Sequence, residues 1–103
     1  MNYEGLTDRE LWQLLFQKAE AEMAVYMRGL DQLPRSELIM AAVEISAMMT
    51  CHSELMALGE NLSRGKMLFL LRQEKPLELL SEAWMERRTM DEGELFQSLL
   101  IEV

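Results

Sequence analysis

Few residues in this 103-residue chain are equipped for covalent or metal chemistry. His52 is the only histidine and its neighbour Cys51 the only cysteine. Adjacent side chains on a helix point about 100° apart, so these two cannot serve each other as nucleophile and base. Glu44 lies eight residues before His52 and on roughly the same helical face. Two turns separate them, about 12 Å of helix, too far to share one metal ion. A ferritin-like di-metal site needs Glu-x-x-His from each of two helices, and a single histidine cannot supply both copies. Walker loops, dinucleotide fingerprints and Gly-x-Ser-x-Gly elbows are absent from the sequence. The residues therefore predict no catalytic group, no metal site and no cofactor.

What the chain does offer is charge at a regular spacing. Glu74, Glu78, Glu82 and Glu86 stand four residues apart, followed by Asp91, Glu92 and Glu94. If Leu77, Leu80 and Trp84 form the buried side of a helix, Glu78, Glu82 and Glu86 fall on the opposite side. Like charges at this spacing cost about 0.2 to 0.5 kcal/mol per pair, which the buried side must offset. Two readings fit the row. It is a solvated face, or it is a site for a basic protein surface, with Leu79 beside it as an apolar anchor.

The elements that would carry these residues are all helical. Leucine and ten methionines dominate, prolines number two, and alternating strand patterns are missing, so the class is all-α in one domain. Thr7 and Glu10 make a capping box before an apolar stripe of Trp12, Leu15, Ala19, Met23, Tyr26, Leu30 and Leu33. Pro34 breaks that first long helix and starts a second, which packs antiparallel to it and runs to Gly59. The second helix contains Leu38 to Leu58, apolar almost all round at its start, which predicts a buried central helix. Short helices follow from Arg64 to about Gln73, from Pro76 to about Arg87, and from Thr89 to nearly Val103. The methionines are expected mainly in the core.

Net charge is −8, and residues 74–103 hold eight acidic against three basic side chains. Such a balance argues against direct nucleic-acid binding, whose affinity comes from Lys and Arg neutralising phosphates. The two short helices around Lys75-Pro76 have the outline of a helix-turn-helix, but Glu78, Glu82 and Glu86 would repel DNA from the reading helix. Glu44, His52 and Glu54 interrupt the most apolar run, which argues against a membrane span. A lone cysteine suits a reducing compartment, and MNYEGLTDRE lacks the basic and apolar regions of a signal peptide, so a cytoplasmic location is expected.

Several segments resemble a family of short, uncharacterised helical proteins from Firmicutes and their mobile elements. They are Leu11-Trp12-Gln13-Leu14-Leu15-Phe16 with Ala19-Glu20, Leu33-Pro34 with Glu37-Leu38, Leu62-Ser63 leading to Lys66-Met67-Leu68, and Lys75-Pro76-Leu77 with Leu80 and Trp84. Together they span about residues 10 to 88. The resemblance transfers no active-site residue. It implies a setting in which small acidic proteins are similar in kind to anti-CRISPR inhibitors that occupy basic grooves of Cas nucleases. The function expected is thus a non-enzymatic binding protein or inhibitor, concretely an anti-CRISPR protein acting on a Cas9-type nuclease through the acidic surface. The alternative is a helical homo-oligomeric scaffold or adaptor, such as a homodimer paired through methionines and leucines.

Overall fold

The computed structural model describes Tyr3 and residues 5–86, apart from the side chain of Glu60. Five α-helices and no strand occur among these residues: α1 (Asp8–Asp31), α2 (Arg35–Met40), α3 (Ala42–Leu58), α4 (Arg64–Arg72) and α5 (Pro76–Glu86). The all-α class read from the sequence is correct. The segment expected to form a helix from Thr89, and with it Asp91, Glu92 and Glu94, lies outside the described residues.

Helix α1 begins as its capping box dictates. The Glu10 amide donates to Thr7 Oγ1 at 3.2 Å, and the Thr7 amide donates back to Glu10 Oε1 at 3.0 Å. The bond from the Thr7 amide, and after it the Thr7 hydroxyl, hold the Glu10 carboxyl below its ordinary pKa. Leu11, Leu15 and Ala19, spaced by four, are fully buried. Further along, Met23, Tyr26 and Leu30 are only half-buried, so the stripe is tightly covered along its first half alone. Ser63 caps α4 by accepting from the Lys66 amide at 3.3 Å. Gly59 ends α3 at φ 50° and ψ −130°, a region open essentially to glycine. A Cβ there would meet only ordinary contact with Trp12, so the backbone conformation is what demands the residue.

The long second helix expected from Pro34 to Leu58 is jointed at Ala41 into α2 and α3. Ala41 has ψ 3° in place of the helical value near −42°. The ladder survives on both sides, with the Ala41 amide on the Glu37 carbonyl and the Ile45 amide on the Ala41 carbonyl. Neither glycine nor proline marks the joint, which falls within Met40-Ala41-Ala42.

Packing pairs α3 with α5 and α1 with α4, with lesser contact between α1 and α3. The core joins Leu11 and Leu15 of α1, Cys51 and Leu55 of α3, Met67 and Leu70 of α4, and Leu77 and Leu80 of α5. Small residues on α3, namely Ala42, Ser46, Ala47 and Thr50, face Trp84 and Met85 at the end of α5. The expectation of a buried central helix holds for the second half of α3 and fails before it. Ala47, Met48, Cys51 and Leu55 are buried, whereas Ile39 is 67% exposed and Met40 86%. A helix apolar all round has no single preferred face, so the sequence could not say which side would be covered. The methionines divide likewise: Met48 and Met67 are buried, while Met27, Met40 and Met49 are exposed.

Leu55→Asp should therefore unfold the domain, because it places an unpaired carboxylate in the closed core, at a cost above about 4 kcal/mol. Ile39→Asp should shift stability by no more than about 0.5 kcal/mol. Urea denaturation followed by circular dichroism reads both. Equal loss in the two variants would show that the face around Ile39 is covered.

Candidate functional site

One stretch of α1 organises the site. Lys18 and Glu22, one turn apart, reach across to the corner between α4 and α5. The Lys18 ammonium donates to the Leu71 carbonyl at 2.8 Å, in the last turn of α4. The two oxygens of Glu22 accept from the Leu77 and Glu78 amides at 2.8 and 2.9 Å, in the first turn of α5. Positive charge thus meets the carbonyl end of one helix and negative charge the amide end of the next, as both helix dipoles require.

The need for this clamp follows from the sequence of the corner. The residue before Pro76 is Lys75, whose side chain has no acceptor with which to cap a helix. Pro76 carries no amide hydrogen, and the Leu79 amide bonds the Lys75 carbonyl at 3.1 Å. Only Leu77 and Glu78 then require an acceptor, and Glu22 serves both. Burial of Glu22 raises its pKa, outweighing the two amide bonds that lower it. The carboxylate therefore gives the amides their partner at some cost to its own charge.

Beside the clamp lies a groove of about 480 Å³. Ala21, Val25 and Tyr26 of α1 form one wall, Glu44 and Met48 of α3 another, and Glu74, Lys75 and Glu78 close the end at the corner. Lys75 and Glu78 pair loosely at 3.6 Å. Glu44 and Glu74 have no hydrogen-bond or ion-pair partner among the described residues. The Tyr26 hydroxyl is buried without a hydrogen-bond partner. Burial raises its pKa, and the negative charge of Glu44 raises it further.

The acidic row falls into two parts. Glu74 and Glu78 border the groove, while Glu82 and Glu86 continue, exposed, along the outer edge of α5. The opposite edge is locked down by Leu77, Leu80 and Trp84, as the spacing predicted. Leu79 is half-buried on the edge of that face. The sequence reading missed Glu22, Glu44 and Tyr26 as neighbours of the row, because they come from two other helices. A signal for Glu22 was present nonetheless, since a helix opening at Lys-Pro lacks a local cap.

The candidate chemical residues are placed apart from this groove. Cys51 is wholly buried, and burial, aided by the charge of Glu54, pushes its thiol up to about 12. His52 meets Glu20 of α1, where Nε2 lies 2.6 Å from Oε1. Nε2 must carry the proton in that contact. Glu44 is not part of that pairing. The described residues contain no group of three or more His, Cys, Asp and Glu side chains placed to hold a metal ion. No helix among them is long and apolar enough to cross a membrane. The chain matches no protein-family model, no curated protein and no solved structure.

Glu22→Ala should destabilise the fold by about 1 to 2 kcal/mol, the upper range for a lost helix cap, since it strands two amides. Lys18→Ala acts on the same corner, so the double variant should lose less than the sum, with a coupling of at least about 0.5 kcal/mol in a denaturation cycle. Strict additivity would mean that the two contacts act independently. The pH dependence has a definite sign. With its folded pKa above the ordinary 4.5, Glu22 binds more protons in the folded than in the unfolded chain, so its contribution falls as pH rises from 4.5 through the raised value. Glu22→Gln should remove that part of the slope from a stability profile, and an unaltered slope would exclude Glu22 as its source.

Proposed function

We propose that this chain is a non-enzymatic binding protein whose acidic face meets a basic protein surface, in its most specific form an inhibitor of a Cas9-type nuclease of the anti-CRISPR kind. The observation that carries this reading is the mounting of the acidic row. Glu78, Glu82 and Glu86 lie along the exposed edge of α5, whose other edge is fixed in the core by Leu77, Leu80 and Trp84. A charged row on a rigid helix meets a complementary surface without the ordering cost that a flexible tail would incur. The suppressed ionisation of Cys51 also favours binding over catalysis. Acidic charge on this face would repel phosphates, so the partner is a basic protein and not nucleic acid itself.

A homo-oligomeric scaffold is the second reading, favoured by the exposed Ile39, Met40 and Val43 around the α2–α3 joint. Light scattering separates the two, since a scaffold of this kind is a dimer or larger at micromolar concentration.

Changing Glu78, Glu82 and Glu86 together to glutamine should relieve repulsion along α5 and keep stability level or slightly raised. The same triple variant should inhibit Cas9-type DNA cleavage less than wild type, and wild-type potency should fall as salt rises, because exposed charge attraction is screened over about 10 Å at 0.1 M. Equal potency at both salt levels would remove the row from the interface. Absence of inhibition by wild type would reject the nuclease tested as the partner.

A further inference from the structure

The groove beside the acidic row has a more specific chemistry than the row itself. Its lining is apolar at Ala21, Val25, Met48 and Tyr26, and anionic at Glu44 of α3 and at Glu74 and Glu78 of the corner. The cations nearby are already engaged: Lys18 holds the Leu71 carbonyl and Lys75 faces Glu78. Glu44 of α3 and Glu74 of the corner have no cationic partner among the described residues. An occupant must therefore combine an aliphatic stem with a cationic head able to address two carboxylates at once.

We infer that the groove between α1, the start of α3 and the α4–α5 corner takes an arginine side chain projected by the basic partner. This assignment rests on the reading of the protein as a binder of basic surfaces. The three methylenes of arginine lie against Val25 and Met48, while the planar guanidinium divides its five donors between Glu44 and the carboxylates at the corner. The ring of Tyr26 offers the flat surface on which a guanidinium stacks. Lysine fits less well, because a compact ammonium cannot share its donors between carboxylates from two helices as a fork does. At about 480 Å³ the groove holds one such side chain together with part of the backbone that bears it.

Fluorescence anisotropy of labelled nona-arginine and nona-lysine peptides, titrated with the full chain at low and moderate salt, tests the assignment. Nona-arginine should bind several-fold tighter than nona-lysine. Glu44→Gln, an exposed change on α3 far in sequence from the row, should weaken nona-arginine about tenfold, one factor of ten being 1.4 kcal/mol. Val25→Lys places the chain's own ammonium in the groove and should weaken binding to a similar extent. Val25 is 60% exposed, so this variant keeps its fold, as circular dichroism would confirm. The double variant Glu82→Gln with Glu86→Gln should lose less than either. Full affinity in Glu44→Gln and Val25→Lys, with loss confined to the Glu82 and Glu86 variant, would overturn the groove while leaving the acidic face as the binding surface. Equal affinity for the two peptides would overturn the choice of arginine. Failure of wild type to bind either peptide would overturn both the groove and the acidic-face reading.

Discussion

The position of α5 depends on two side chains that belong to α1. Lys18 satisfies a carbonyl at the end of α4, and Glu22 satisfies the first amides of α5, so one turn of the longest helix fixes a corner more than fifty residues later. A corner of this kind needs outside help. Lys75-Pro76 starts a helix abruptly but brings no capping oxygen, and polar backbone groups left unpaired beside a core would cost about 1 to 3 kcal/mol each. The clamp converts a local deficiency into a long-range constraint. It also explains why a partly buried carboxylate is retained at Glu22, where burial disfavours its charge.

Other contacts extend the same logic over the length of α1. Arg64 at the start of α4 pairs with Asp8 at 2.9 Å, and His52 of α3 meets Glu20. Both are partly exposed, so each contributes modestly, about 1 kcal/mol or less, and their value lies in fixing register more than in strength. Leu11, Leu15 and Ala19 supply the apolar part of the same interface. Beyond Ala19 the helix loses its full cover, and there the groove opens. The site therefore lies where the packing of α1 changes from closed to open, with its charged rim set by the corner that α1 itself holds.

Local features of this structure were legible in the sequence, and relations between helices were not. Thr7-x-x-Glu10, Ser63, Gly59 and Pro76 each mark a boundary by chemistry contained within a few residues, and each appears where that chemistry puts it. The buried edge of α5 was readable because Leu77, Leu80 and Trp84 leave only one apolar side. The run from Leu38 was opaque for the opposite reason. With apolar residues on every side it names no inner face, so Ile39 and Met40 emerged exposed and the joint at Ala41 went unannounced. Glu22, Glu44 and Tyr26 join the candidate site through tertiary packing across three helices, and a single sequence carries no pairing information of that range. The acidic row was visible as a pattern, yet its division at Glu78 into a groove-facing part and an outward part required the fold.

The burial of Cys51 makes the chain its own timekeeper. A thiol that is sealed among core side chains, and held protonated until about pH 12, is shielded from alkylating and disulfide-forming reagents while the core is closed. Because it is the only cysteine, its modification reports a single event, the separation of α3 from its neighbours. With reclosing fast relative to labelling, the extent of reaction measures how often that opening occurs; with reclosing slow, it measures the opening rate itself. The protein thus carries a native label for the stability of its centre, with no residue added.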